Sequence, residues 1–189
     1  MADATWMETR AVLDNATNEW VIDGRKMWMS GAHRAPYAFI FARSNADGSP
    51  PREGGKADGI TCFCVPMATR GVVVEEYLWT FNMPTDHAAV TLSGVRIPNN
   101  EFAILGEAGR GLALAQHFVF ENRIRQAASG VGVAQYCIEE SVRFAQARQP
   151  FGSPISTKQA IQFPLAELAT ECEMTRLLVR KTAQAPGPY

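Results

Sequence analysis

The stretch WVIDGRKMWMS occupies residues 20–30 and decides how the N-terminal half of the chain folds. Its central pair, Asp23-Gly24, is flanked on both sides by residues of strand character. An Asp-Gly pair in that setting favours a type I′ hairpin turn, because this turn requires positive φ at both central positions. The sequence therefore predicts two antiparallel strands that meet at Asp23-Gly24.

The second of these strands carries the first candidate binding residues. Trp28 and Ser30 are two positions apart, and the two-residue period of a strand predicts that their side chains share a face. An indole beside a hydroxyl can stack against a flat ring and donate one hydrogen bond to it. The alternative is a tryptophan of the core followed by a turn serine.

Further strand-like runs continue up to about residue 106. Apolar, β-branched and aromatic residues are concentrated at 37–42, 60–66, 71–77 and 88–95. The intervals between turn signals are short, as in an antiparallel barrel or sandwich. Residues 45–59 have turn composition throughout, so we predict a surface loop there.

The remainder, from about residue 107, has helical character. One helical pattern covers residues 112–147, and a second helix follows Ser156-Thr157-Lys158-Gln159, which has the spacing of a capping box. Pro164 is expected to kink that second helix. Residues 127–134 (AASGVGVA) are mostly small, which indicates close approach of another backbone or a flat ligand that the chain itself hardly supplies. Strands followed by helices make this an α+β chain.

The balance of charges argues against a nucleic-acid-binding protein. The 18 Lys and Arg residues and 19 Asp and Glu residues leave a formal net charge of -1, whereas phosphate binding needs a basic excess. No apolar run approaches the roughly 18 residues of a membrane span, so none is expected. The four cysteines show neither a disulfide framework nor zinc-ligand spacing. We therefore expect no metal and a reducing compartment, most simply the cytoplasm.

A second candidate binding segment, Arg148-Gln149-Pro150-Phe151-Gly152, follows the long helical pattern. Its arginine offers a planar fork that suits phosphate, and its phenylalanine offers a flat surface. The alternative is charge compensation at a helix end together with one packed ring. No catalytic constellation accompanies the segment, because His33, His87 and His117 are scattered and are expected to be surface or half-buried residues.

These segments, in this order and spacing, resemble the acyl-CoA dehydrogenase family. The similarity extends over nearly the whole chain, in DGRKMWMS (23–30), VRIPNN (95–100), LGEAGRG (105–111), ENR (121–123), RQPFG (148–152) and KQAIQF (158–163). It implies that residues 1–106 are the family's middle β-domain, an antiparallel barrel or sandwich. Residues 107–189 would begin the C-terminal helical domain, with long antiparallel helices of an incomplete four-helix bundle.

The resemblance implies FAD as cofactor and an acyl-CoA thioester as substrate. In the family, a carboxylate takes the α proton while the β hydrogen leaves as hydride to N5 of the flavin. The isoalloxazine would lie against Trp28, Met29 and Ser30, with Ser30 hydrogen-bonded near N5. A neighbouring subunit would bind the adenosine diphosphate half through Arg148, Gln149, Pro150, Phe151, Lys158 and Gln159. The substrate would contact the long helix at Glu121, Asn122 and Arg123.

The chain also departs from the family pattern. The family's N-terminal helices have no counterpart here, which predicts a fragment. The usual catalytic glutamate would follow Tyr189, and the other position used in the family aligns with Asn122, whose amide cannot accept the α proton. Glu121 points about 100° away on a helix. We therefore assign no catalytic base.

Two functions of different class remain open from the sequence. The first is a piece of a FAD-dependent oxidoreductase whose parent dehydrogenates an acyl-CoA, with a relative of the acyl-CoA oxidases as a variant. The second is a non-catalytic flavin-binding or assembly module that lacks the base. The expected partners are acyl-CoA, an electron-transfer flavoprotein or similar acceptor, and further copies of the chain in a dimer or tetramer.

Overall fold

A computed structural model describes residues 4–44, 59–80 and 83–185 of the chain. The chain divides into two compact units, Met1–Gln116 and His117–Tyr189. The strands are β1 (Arg10–Asp14), β2 (Glu19–Ser30), β3 (Tyr37–Arg43), β4 (Ile60–Pro66), β5 (Val72–Thr80), β6 (Met83–Pro98) and β7 (Ile104–Leu105). The long helices are α1 (Gly111–Ala147) and α2 (Gln159–Gln184), with short 3₁₀ turns at Pro150–Gly152 and Ile155–Thr157 between them. The prediction of an α+β chain is confirmed.

The strands form one sheet in the order β5-β6-β2-β1-β3-β4-β7. Neighbouring strands are antiparallel except β1 and β3, which are parallel and pair through Arg10 and Arg43. The sheet is therefore mixed, whereas the sequence predicted antiparallel pairing throughout. The parallel pair arises because β3 lies beside β1 instead of beside β2, which precedes it in the chain.

The predicted hairpin turn at Asp23-Gly24 is wrong. β2 passes through this pair as one strand, and the turn between β1 and β2 lies at residues 15–18, where Asp14 pairs with Glu19. Gly24 has φ +150°, and a Cβ atom there would lie 2.7 Å from Cα of Thr9. The glycine thus serves a close approach of two backbones, which is the other common reason for glycine inside a strand.

The runs at 37–42 and 60–66 are strands as predicted, and they supply much of the sheet's core. The strands predicted at 71–77 and 88–95 extend further, to β5 and β6, because β6 pairs with β2 on one side and β5 on the other. The largest fully buried side chains of the sheet include Trp20, Ile22, Ile40, Phe63, Val65 and Val90. The surface loop predicted at 45–59 falls on residues outside the described ranges, apart from Gly59.

α1 agrees with the predicted long helix, but α2 begins differently from the predicted second helix. The capping box predicted at Ser156–Gln159 is not formed: α2 starts at Gln159, and its N-cap residue Lys158 makes no side-chain cap hydrogen bond. The Thr157 hydroxyl instead donates to the Pro154 carbonyl, because Ser156 and Thr157 belong to a 3₁₀ turn. α2 continues past Pro164 without interruption. Residues 185–189 (APGPY), whose composition is typical of a frayed tail, lie outside the described residues except for Ala185.

The second unit is a pair of antiparallel helices with a narrow contact. Val131 and Cys172 are buried where the helices meet, and the Cys172 thiol lies 3.7 Å from the Val131 carbonyl oxygen. Gly130 and Gly132 have open space where a Cβ atom would stand. The small-residue segment therefore packs against no other part of the described chain at these glycines. Large apolar side chains of α2 are exposed at Phe163, Leu168, Met174, Leu177 and Leu178.

Candidate functional site

The segment around Trp28 is a strained β-bulge. Lys26 pairs with Val90 and Met29 pairs with Ala88, so three steps along β2 oppose two steps along β6. Trp28 has φ +62°, which is uncommon for a residue with a large side chain, and its side chain is 55% exposed. Such strain costs on the order of 1–3 kcal/mol and is concentrated at functional sites. The bulge also interrupts strand alternation, so the two-residue period does not apply between Trp28 and Ser30.

Ser30 is hydrogen-bonded to a histidine that the sequence did not connect with it. The two residues are cross-strand partners, and Ser30 Oγ lies 2.8 Å from His87 Nδ1. Next to them, the Gly31 N–H donates to the Asp86 carbonyl at 2.7 Å, and Arg34 forms a 3.3 Å ion pair with the Asp86 carboxylate. This corner of the sheet holds the serine hydroxyl at an exposed strand end. No sequence signal links positions 30 and 87, because only the register of β2 against β6 brings them together.

Met29 lies on the wall of an apolar cavity of about 240 Å³ in the first unit. Lys26 also lines this cavity, and its ammonium group donates a 2.6 Å hydrogen bond to the Phe41 carbonyl. Burial lowers the pKa of Lys26 to about 8. The rest of the wall is apolar and comprises Ala4, Met7, Met27, Phe39, Ile40, Phe41, Leu112 and Ala115. Sequence reasoning missed Lys26, although a lysine inside an apolar strand is itself a signal of partial burial.

The connection between α1 and α2 collects the second set of predicted site residues. α1 ends at Ala147, and the Arg148 carbonyl accepts a 2.9 Å hydrogen bond from the Ile155 N–H, which closes a tight loop. Phe151 at the tip of that loop has φ +57°, and its side chain is fully exposed. Six of the predicted site residues lie in this loop and at the start of α2, and all are exposed except Pro150, which is half-buried. They are Arg148, Gln149, Pro150, Phe151, Lys158 and Gln159.

Gln159 had two competing roles in the sequence, as a cofactor contact and as part of a capping box. The capping box is absent, since α2 has no side-chain cap hydrogen bond at its first turn. Gln162 instead bonds to the loop, with its side-chain amide donating to the Ser156 carbonyl at 2.8 Å. The Gln159 side chain is therefore not held in a capping box.

The predicted substrate residues Glu121, Asn122 and Arg123 are exposed on α1. The Glu121 carboxylate lies 3.4 Å from the Arg125 guanidinium and 3.7 Å from the His117 imidazole. The Arg123 guanidinium lies 5.7 Å from the centre of the Phe120 ring. Exposed pairs of this kind contribute little to stability. The Glu121 carboxylate thus has Arg125 and His117 as its neighbours, and the adjacent Asn122 offers only an amide.

Trp28, Met29 and Ser30 belong to the first unit, and all the other predicted site residues belong to the second. Among the described residues, no group of three or more His, Cys, Asp or Glu side chains could hold a metal ion. No helix in the described ranges is long and apolar enough to cross a bilayer.

Comparison with known proteins identifies both units. Residues 2–95 match the family described as acyl-CoA dehydrogenase, middle domain. Residues 109–187 match the family described as acyl-CoA dehydrogenase, C-terminal domain.

Individual relatives agree with these matches. The human mitochondrial short-chain specific acyl-CoA dehydrogenase is 33% identical over 169 residues, which cover 88% of this chain and 38% of the human protein. A probable medium-chain specific acyl-CoA dehydrogenase of Caenorhabditis briggsae is 33% identical over 167 residues, 88% of this chain and 40% of that protein. A solved glutaryl-coenzyme A dehydrogenase in complex with glutaryl-CoA superposes with a TM-score of 0.81 at 26% identity, covering 97% of this chain and 44% of that one. The chain thus spans about two fifths of the length of these curated relatives.

Proposed function

The chain belongs to the acyl-CoA dehydrogenase family, and on that premise we propose that it carries part of a FAD-dependent active site. The whole protein would remove two hydrogens from an acyl-CoA thioester. Bound FAD supplies the hydride acceptor. The residues described above would hold the cofactor and orient the substrate beside it, which is where positioning contributes to the rate.

One observation carries this proposal, the exposed Trp28 held at positive φ by the bulge between Lys26 and Met29. A strained and exposed indole is hard to explain as packing, because Trp20, not Trp28, fills the core of the sheet. An exposed indole offers a flat surface on which a ring system can stack. Ser30, two residues further on, presents a hydroxyl that can donate to a ring nitrogen. We propose that Trp28, Met29 and Ser30 contact the isoalloxazine ring.

The loop between the helices supports the second half of the cofactor site. Arg148 is exposed and presents a guanidinium, whose planar fork suits a pyrophosphate. Phe151 at the loop tip is fully exposed, and its left-handed backbone is strained for a non-glycine residue. We propose that Arg148, Gln149, Pro150, Phe151, Lys158 and Gln159 bind the adenosine diphosphate half of FAD held by another copy of the chain.

A shared cofactor implies a homo-oligomer, a dimer or tetramer. The exposed apolar residues of α2 and the open glycines of α1 fit helices that complete a bundle with further protein. We propose the division of the chain at about residue 106, with a β-domain before it and part of a helical domain after it.

We propose that acyl-CoA lies along α1 at Glu121, Asn122 and Arg123. Arg123 is the strongest of these, because an exposed guanidinium suits the phosphates of coenzyme A. No residue described here is assigned as the base: Asn122 cannot accept a proton, and Glu121 is engaged by Arg125 and His117.

The electron acceptor would be an electron-transfer flavoprotein or a similar protein. The cytoplasmic location stays a prediction. The two relatives named above do not support it, since the names of both describe mitochondrial proteins. The thiols of the described residues are all free, which fits a reducing compartment of either kind.

The test is flavin retention followed by anaerobic reduction. The purified chain is incubated with FAD and desalted, and its visible spectrum is recorded before and after addition of butyryl-CoA without oxygen. We expect a retained flavin spectrum that Ser30→Ala weakens and that Arg148→Ala abolishes together with the dimer. Arg180→Ala, which removes an exposed arginine of α2 outside the loop, is the matched control and should leave both unchanged.

The outcomes separate the functions that the sequence left open. Bleaching by butyryl-CoA would support dehydrogenation by this chain with a base that remains to be located. Retained flavin that does not bleach would support a cofactor-binding piece whose base lies elsewhere in the protein. A folded, colourless chain would contradict the proposed cofactor site, and a monomer with tightly bound FAD would contradict the role of Arg148 and Phe151. The comparisons favour the dehydrogenase over an assembly module, since both units match that enzyme family.

A further inference from the structure

We propose that His87 is a positioning residue that sets the direction in which the Ser30 hydroxyl donates its hydrogen bond. The inference rests on the proposed function, in which Ser30 faces a ring nitrogen of the flavin. It adds a residue from β6, outside the segments that carry the family resemblance.

The geometry is that of one short cross-strand pair. Ser30 Oγ and His87 Nδ1 are 2.8 Å apart, and the two residues face each other in the β2–β6 register. His87 is half-buried, whereas Ser30 is exposed. The Ser30 hydroxyl is therefore accessible to a ligand while it is hydrogen-bonded to the imidazole.

A serine hydroxyl has one proton and two lone pairs. If His87 carries its proton on Nδ1, the imidazole donates to Ser30 Oγ, and the hydroxyl proton is left to point at a third group. If Nδ1 carries no proton, the serine hydroxyl donates its hydrogen bond to the imidazole. The serine oxygen can then only accept a hydrogen bond from a ligand. A ring nitrogen with a lone pair needs the first arrangement. We therefore assign His87 the Nδ1–H tautomer.

The surroundings restrain the pair. The Gly31 N–H to Asp86 carbonyl bond, at 2.7 Å, ties the end of β2 to β6 next to it. Met29 pairs with Ala88, which is fully buried, so the strand register is fixed immediately on the other side. Within this frame the tautomer of His87 becomes the variable that decides whether Ser30 donates or accepts.

The first experiment needs no cofactor. Long-range ¹H–¹⁵N spectra of the chain labelled with ¹⁵N-histidine report the tautomer of each imidazole. We expect His87 as the Nδ1–H tautomer in the unmodified chain and a shift of its Nδ1 signal in Ser30→Ala, while the signals of His33 and His117 stay in place. A bare Nδ1 in the unmodified chain, or no response to Ser30→Ala, would overturn the proposal.

The second experiment measures FAD affinity in a double-mutant cycle. His87→Phe keeps a ring but removes the hydrogen bond, and we expect FAD to bind about two- to tenfold more weakly, the range for one hydrogen bond. His87→Asn places an amide donor near the position of Nδ1 and should restore affinity to within about twofold. In a Ser30→Ala background, His87→Phe should cause no further loss, because the partner is already gone.

His33→Phe is the matched control. His33 lies in the same unit and packs edge-on against Tyr77 at 5.2 Å, a contact that phenylalanine can keep. It should leave FAD affinity unchanged. An equal loss from His87→Phe with and without Ser30 would show a purely structural role and overturn the proposal. If the unmodified chain takes up no FAD, the proposed cofactor site fails, and the tautomer experiment alone decides the role of His87.

Discussion

The carboxylate of Asp23 on β2 accepts a 2.6 Å hydrogen bond from the backbone N–H of Gly94 on β6. Gly94 has φ +57° and lies where β6 carries an extra residue, since Ile22 pairs with Val95 and Gly24 pairs with Leu92. The aspartate thus satisfies an N–H that the bulge removes from the strand ladder. Two bulges of opposite sense therefore interrupt β2 and β6, this one and the one at Trp28.

Removal of that carboxylate should destabilise the first unit. We expect Asp23→Ala to lower the free energy of unfolding by about 1–2 kcal/mol, because a hydrogen bond to a charged acceptor is lost. Asp23→Asn keeps an acceptor oxygen and should cost less than half as much. All four tryptophans precede residue 116, so urea unfolding followed by tryptophan fluorescence reports on this unit. Equal losses for the two variants would contradict the role of the hydrogen bond.

Gly71 and Gly94 form a matched pair that separates crowding from backbone strain. Both have positive φ, but a Cβ atom on Gly71 would lie 2.2 Å from the Ser93 carbonyl oxygen, whereas Gly94 has open space. Gly94→Ala should cost about 1–2 kcal/mol from the left-handed backbone alone. Gly71→Ala should cost about 3 kcal/mol or more, because backbone must also move. The same fluorescence assay measures both, and similar losses would mean that the contact at Gly71 relaxes freely.

Lys26 should make the stability of the chain rise between pH 8 and pH 9. In the folded chain burial lowers the pKa of Lys26 to about 8, whereas the unfolded lysine keeps its proton up to its ordinary value of 10.5. Over this interval the unfolded state binds more protons, so the free energy of unfolding increases with pH. Lys26→Met should abolish the rise, as measured by urea unfolding at a series of pH values.

Cys62 should stop that rise above pH 9. Burial, with a smaller effect of Cys64, raises the pKa of Cys62 from 9.0 to about 12. The unfolded thiol therefore loses its proton near pH 9 while the folded one keeps it, which lowers stability as the pH increases. Cys62→Ala should leave the rise between pH 8 and 9 intact and extend it upward. Parallel curves for the unmodified chain and Lys26→Met would count against the desolvation of Lys26.

The cysteines should differ sharply in reactivity. Cys137 is exposed on α1, Cys64 is half-buried, and Cys62 and Cys172 are buried. We expect the Cys137 thiol to react fast with Ellman's reagent at pH 8, and this fast reaction to be lost in Cys137→Ser. The thiols of Cys62 and Cys172 should react only after unfolding. Fast reaction of two or more thiols in Cys137→Ser would show that the sheet or the helix pair opens readily. Cysteine side chains are most often buried, and the exposure of Cys137 departs from that general tendency.

The sequence by itself determined the features that depend on dense local signals. β3 and β4 were predictable because each is a short apolar run bounded by turn residues, and α1 because its helical pattern is long and contains no proline. The family was recognisable from motifs such as RKMWMS and RQPFG, because their order and spacing along the chain do not depend on the local structure that they adopt. Trp28, Ser30, Arg148 and Phe151 were candidates already from their side-chain chemistry, and the other candidate cofactor residues followed from the motifs alone.

Tertiary structure decided the rest, because it depends on which strands become neighbours. Asp23-Gly24 has the local chemistry of a turn, yet it lies inside β2 because β6 is a long partner strand beside it. The backbone of Thr9 also approaches Gly24 closely on the other side. The capping residues of α2 were displaced by a 3₁₀ turn that the loop from α1 imposes. Ser30 and His87 meet 57 positions apart through register alone. Hydrogen-bond partners set by register depend on every residue between the two strands, so no local pattern in the sequence contains them.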